Sequence, residues 1–109
     1  MPWLVRDGEV LASLEIADDR RSRRRGLLGR AGIDGAIWLT PARSVHTVGM
    51  RFDLDIAYLD RELEVVDVAC MRRHRIGMPR LAARSVIEAQ SGAFERWGLS
   101  IGDRVEVRR

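Results

Sequence analysis

Turn signals recur so closely along this chain that they leave room only for short elements. Asp7-Gly8, Thr40-Pro41, Asp60-Arg61-Glu62 and Gly102-Asp103 each interrupt a run of apolar residues. Between them the residues alternate or cluster as strands do, and helical periodicity is confined to two short stretches. About seven strands at such spacing, most joined by tight turns, favour a small antiparallel β-barrel or sandwich over a parallel sheet. The class expected is mainly β, α+β by content, with two short helices.

The individual elements follow from local chemistry. Trp3–Arg6 and Glu9–Ile16 read as a hairpin across Asp7-Gly8, a pair that tolerates positive φ at both central positions. In the second strand Val10, Ala12, Leu14 and Ile16 alternate with Leu11, Ser13 and Glu15 and are expected to face inward. Asp18-Asp19 can cap a helix over Arg20–Leu28, ended by Gly29, with Leu27 and Leu28 packing inward. Ala36–Leu39 is a short apolar strand. Leu54, Ile56 and Tyr58 share one face of the next strand, and Asp55, Ala57 and Leu59 share the other. Leu63–Met71 returns, with a change of phase near Val65-Val66 that suggests a bulge. Arg72–Arg84 reads as an arginine-rich loop, broken by Gly77 and Pro79. Ser85–Gln90 is a strand, Gly92–Trp97 a helix stopped by Gly98, and Arg104–Arg108 a final strand.

Composition excludes several classes. With 109 residues the chain is read as one domain spanning 1–109. An apolar fraction of 46% is ordinary for a globular chain. No stretch approaches the roughly 18 consecutive apolar residues of a membrane span, and the first residues do not resemble a signal peptide. The single cysteine, Cys70, permits no internal disulfide. A cytoplasmic location without a membrane partner is therefore expected. All 19 basic residues are arginine, and asparagine is absent as well. A GC-rich genome accounts for both facts, which weakens any inference from arginine number alone.

Several segments resemble one known family. Arg25-Gly26-Leu27-Leu28-Gly29-Arg30 resembles its "RGLMGR" helix end. The run from Val45 to Asp60, VHTVGMRFDLDIAYLD, is similar to its hallmark "IHTFFMRFPIDVVFLD". Val86-Ile87-Glu88 with Gly92 resembles "VLE…G", and Gly98-Leu99 with Gly102-Asp103 and Val105 resembles the closing "GI..GD.V". On these motifs the chain resembles the bacterial and archaeal family called domain of unknown function 192. The resemblance implies a compact, mainly antiparallel β domain with two short helices and carries no established activity. Asp53 departs from it, standing where the family usually has proline. So does the loop after Met71, which carries Arg72, Arg73, His74 and Arg75.

Three sets of residues are candidates for chemistry. His46, Thr47, Met50, Asp53 and Asp55, on the pattern HTxxM-x4-D, combine imidazole, hydroxyl and carboxylate and are expected to shape a ligand pocket. The alternative is structural: Asp55 would accept bonds from Thr47 and nearby backbone N–H groups. Other members of the family have Trp-Met where His46-Thr47 stand, which argues against a general catalytic histidine. Arg24, Arg25, Arg72, Arg73 and Arg75 form the second set, for anions. The aromatic residues are expected to be mostly core, with Trp97 before Gly98 anchoring its helix to the sheet. No zinc-ligand spacing, nucleophile elbow or phosphate loop accompanies these sets. Cys70, in an apolar strand, is expected to be a buried inert thiol.

The expectation is thus a non-enzymatic binding or accessory domain without cofactor or metal, whose partner is a small molecule or a protein. An enzyme using Asp55 and His46 is one alternative. Arginine-mediated binding of nucleic acid or another anionic ligand is a less favoured one.

Overall fold

The computed structural model describes residues 1–109. Its elements run β1 (Trp3–Arg6), β2 (Glu9–Ala17), α1 (Arg20–Arg25), β3 (Ala36–Leu39), β4 (Leu54–Leu59), β5 (Val65–Met71), β6 (Ser85–Gln90), α2 (Ala93–Trp97) and β7 (Glu106–Arg108). The seven strands form one sheet in the order β5-β4-β6-β3-β2-β1-β7. Every pairing is antiparallel except β2 with β3. That parallel pair follows from the long connection 18–35, which carries α1 and gives the chain enough length to cross over.

The sheet is not a closed barrel. Its outer strands, β5 and β7, do not pair with each other. Three backbone bonds instead tie the start of β5 to the approach to β7: Val65 N to Asp103 O (2.8 Å), Gly102 N to Val65 O (2.8 Å) and Val105 N to Leu63 O (3.0 Å). The result is sandwich-like.

Local sequence accounts for most of the elements. Asp7 and Gly8 both take positive φ, 52° and 80°, closing the β1–β2 hairpin. Opposite β4, Tyr58 faces Asp67 and Leu59 faces Val65, so Val66 is the extra residue of the bulge read from the phase change. A second bulge was not legible. Leu4 pairs with Ala12 and Val5 with Val10, leaving Leu11 over. This breaks the alternation in β2, so Leu14 is buried while Val10 is exposed.

Helix α1 is capped by Asp19, whose Oδ1 accepts from Ser22 N at 2.8 Å. It ends at Arg25, three residues before the expected Leu28, because Gly26 turns to φ 48°, ψ −125°, a region open only to glycine. Leu27 then drops into the core and Leu28 stays exposed.

Two apolar clusters cover the two faces of the central strands. One joins Leu54, Ile56, Tyr58 and Val86 with Leu27 and Met50. The other joins Ala57, Leu59 and Ile87 with Phe94, Leu99 and Leu4. All six residues of β4 are buried, as a strand covered on both faces requires. Cys70 departs from expectation. It is exposed, because β5 is an edge strand, and its Sγ lies 3.3 Å from Ser91 Oγ.

Candidate functional site

Strand β6 places an acid where an apolar residue belongs. Alternation puts Glu88 on the same face as Val86, opposite Ile37 of β3 and Ile56 of β4. Only 5% of the residue is exposed. Its carboxyl takes part in none of the side-chain hydrogen bonds or ion pairs of the fold. Burial without a compensating partner penalises the charged form and pushes its pKa from 4.5 up to about 7.

Glu88 lines a cleft of about 80 Å³. Leu27, Leu39, Val45 and Met50 supply apolar wall, His46 and Ser44 add polar groups, and Arg23, Arg24 and Arg25 complete the lining. The end of α1 comes in closely: a Cβ on Gly26 would stand 3.5 Å from Glu88 Oε1. Arg23 is occupied, donating to the carbonyls of Asp18 (3.1 Å) and Thr40 (3.3 Å). Arg24 and Arg25 are exposed and form no ion pair, so both cations are available to an incoming anion.

The five residues of the HTxxM-x4-D pattern separate. His46 and Met50 line the Glu88 cleft. Thr47 is fully buried; its Oγ1 donates to Arg72 O (2.6 Å) and accepts from Arg75 N (2.9 Å). Asp53 precedes β4, so strand alternation does not govern it. Its Oδ1 accepts from Arg73 N at 3.0 Å, and it lines a separate open hollow with Arg72, Arg73, His74 and Arg75. Asp55 faces the other side of the sheet. Its Oδ2 accepts from Gly92 N (2.9 Å) and Phe94 N (3.1 Å), closing the start of α2. The bond anticipated between Thr47 and Asp55 is therefore not formed, because the pleat directs Asp55 to the face of Ala57 and Leu59.

The arginine sets also divide. Arg24 and Arg25 line the Glu88 cleft, while Arg72, Arg73 and Arg75 line the hollow around Asp53. The segment from Val45 to Met50 contributes to the first cleft and is bonded along its length to the loop that forms the second. Gly77 N donates to Val45 O (2.9 Å), His74 N to Thr47 O (2.8 Å) and Gly49 N to His74 Nδ1 (3.2 Å). No three His, Cys, Asp or Glu side chains converge closely enough to hold a metal ion. In the sequence Glu88 stands out only as part of the Val86-Ile87-Glu88 motif. The signal that singles it out is a lone acid inside the apolar run Val86-Ile87-Glu88-Ala89, since an acid seldom sits within a buried strand without a partner.

A family model named DUF192, described as "Uncharacterized ACR", matches residues 3–107. Over 98 residues the chain is 34% identical to a UPF0127 protein of Pyrococcus abyssi, which covers 85% of this chain and 84% of that one. Over 106 residues it is 29% identical to a UPF0127 protein of Pyrococcus furiosus, covering 93% and 91%. Two crystal structures share the fold at 20% identity. One is a protein of unknown function from Novosphingobium aromaticivorans, with a TM-score of 0.80 over 96% of this chain and 82% of that one. The other is a Sinorhizobium meliloti protein described as a candidate transcription regulator, with a TM-score of 0.81 over 97% and 91%.

Proposed function

The chain belongs to the DUF192 family, whose function is not established, and from that premise we propose that it is a binding domain for a small polar molecule held in the Glu88 cleft. The observation that carries this reading is a buried carboxyl without a partner, in a cleft that also holds two uncommitted arginines. A largely buried carboxyl with no protein partner is poorly solvated, and a ligand that donates to it offsets that penalty. A ligand that donates to Glu88 and offers an anion to Arg24 or Arg25 uses both features. The volume of about 80 Å³ limits the enclosed part to a few heavy atoms. A cationic group arriving at Glu88 would ionise it and release a proton.

Methylammonium, acetate and glycine test this directly, since they carry the cation, the anion and both. Glycine is expected to perturb the amide resonances of Leu27, His46 and Met50 more strongly than either fragment, and Glu88→Gln to abolish the difference. Perturbations confined to other surfaces would sink the proposal.

A second reading, an acid–base enzyme, draws support from His46 in the same cleft as a carboxyl whose pKa lies near neutrality. It moves the acid–base role from Asp55, which is engaged with α2, to Glu88. It requires a turnover that both Glu88→Gln and His46→Ala reduce. A turnover indifferent to both rules it out.

A further inference from the structure

The loop 72–84 holds an unusual surface. Ile76, Met78 and Leu81 are 82%, 76% and 82% exposed. None of the three lines a cleft described above. They protrude singly and have almost no contact with their own fold. Between them and around them stand Arg72, Arg73, Arg75, Arg80 and Arg84, and the thirteen residues include no acid. Nearby acids are engaged: Asp53 with Arg73, Asp67 with Arg80 at 2.8 Å, and, beside Ala82 and Arg84, Asp60 with backbone N–H groups and Glu62 with Arg104.

This surface is fixed in place. Thr47 bonds the loop at Arg72 and Arg75. Gly77 N donates to Val45 O, Arg80 N to Arg43 O (2.9 Å) and Arg84 N to Leu59 O (2.7 Å). The Arg80 guanidinium lies over the Tyr58 ring at 4.3 Å. A backbone anchored at so many points presents its apolar side chains outward as a standing feature. More exposed apolar surface lies close by: Val48 is exposed, and His46 forms a bridge with Ile76.

We propose that the loop 72–84 docks the domain on an anionic lipid surface, with Ile76, Met78 and Leu81 entering the headgroup region and the surrounding arginines pairing with lipid phosphates. Apolar side chains beside Arg72, Arg75 and Arg84, which form no ion pair, have the composition of an interfacial membrane contact. Their protrusion suits entry into a deformable layer, whereas capture of a peptide calls for a groove. The loop has no Phe, Tyr or Trp to stack on a base, and its one imidazole, His74, is held by Gly49 N at 3.2 Å, which disfavours single-stranded nucleic acid as the occupant. No helix of the structure is long and apolar enough to cross a membrane, and docking on a surface does not call for one.

Flotation with phosphatidylcholine vesicles, with and without phosphatidylglycerol, tests this on the whole chain. The protein is expected to float with the vesicles containing phosphatidylglycerol and to be released by high salt. The double substitution Ile76→Asp, Leu81→Asp is expected to weaken partitioning by more than about tenfold, since each new carboxylate is repelled by the anionic surface. Both side chains are exposed, so the far-ultraviolet circular dichroism spectrum and the melting temperature are expected to stay unchanged. Failure to float, or equal flotation of the double variant, overturns the proposal. Sedimentation of the unaltered chain as a dimer that the double variant converts to monomer would assign the loop to a second copy and overturn it equally.

Discussion

Replacing Glu88 by glutamine is expected to stabilise the protein at alkaline pH and leave it unchanged at acid pH. The unfolded chain holds the Glu88 proton with a pKa near 4.5, and the folded chain holds it up to about 7. Each pH unit between those values is worth about 1.4 kcal/mol. Carrying an ionised Glu88 therefore costs the folded state about 3 kcal/mol once the pH exceeds the folded value. The folded form binds the proton more tightly, so this contribution is fully present below 4.5, declines as pH rises, and is lost above about 7. Glutamine keeps the shape of the neutral acid and cannot ionise. The variant should match the original chain below 4.5 and exceed it by about 3 kcal/mol above 7, on the order of 10 °C in melting temperature for a domain of this size. Urea unfolding and thermal melts followed by circular dichroism across this range measure the difference, and all other titrating groups cancel in the comparison. Parallel pH curves for the two proteins would refute the reasoning, as would a carbon-13 titration of the Glu88 carboxyl centred near 4.5.

Three further substitutions probe the supports of the site. Asp55→Ala strips the acceptor from Gly92 N and Phe94 N and should cost about 2–3 kcal/mol, with faster hydrogen exchange at Phe94 as the local sign. Thr47→Val keeps the volume but loses the bonds to Arg72 and Arg75; a loss of about 1–3 kcal/mol in urea unfolding and faster exchange of the Arg75 amide are expected. Gly35→Ala would drive a Cβ against the Ser13 carbonyl oxygen where β3 begins beside β2. A drop of at least about 1–3 kcal/mol from overpacking is expected, read as a lower melting temperature.

Much of the fold was legible because it depends on neighbouring residues. The Asp7-Gly8 hairpin, the Asp19 cap, the bulge at Val66 and the span of β6 all appear where local chemistry places them. Of the misjudged features one is local and two depend on strand pairing. Leu28 was expected inside, but Gly26 ends α1 first. Val10 was expected inside, but the surplus Leu11 breaks the alternation. Cys70 was expected inside, but β5 has no neighbour on its outer side.

The candidate site was legible only in part. His46, Met50, Arg24 and Arg25 were chosen from the sequence and share a cleft. Asp53 and Asp55 were grouped with them because they lie close in sequence, and the structure sends each elsewhere. Glu88 reads in sequence as one polar position in a short strand. Its weight comes from Ile37 and Ile56 on either side and from the end of α1 above it, all remote along the chain.

The sequence by itself determined the short-strand architecture, the positions of most turns and the family signature between Val45 and Asp60, because propensity, pleat and turn geometry act within a few residues. Only the tertiary structure decided which face of the sheet each acid meets, that β2 and β3 run parallel, and that a carboxyl at position 88 stands buried without a partner. Those outcomes depend on the dielectric and the hydrogen-bond partners that distant strands bring together; the lone acid in Val86-Ile87-Glu88-Ala89 marks a position locally, and only the remote strands decide its surroundings.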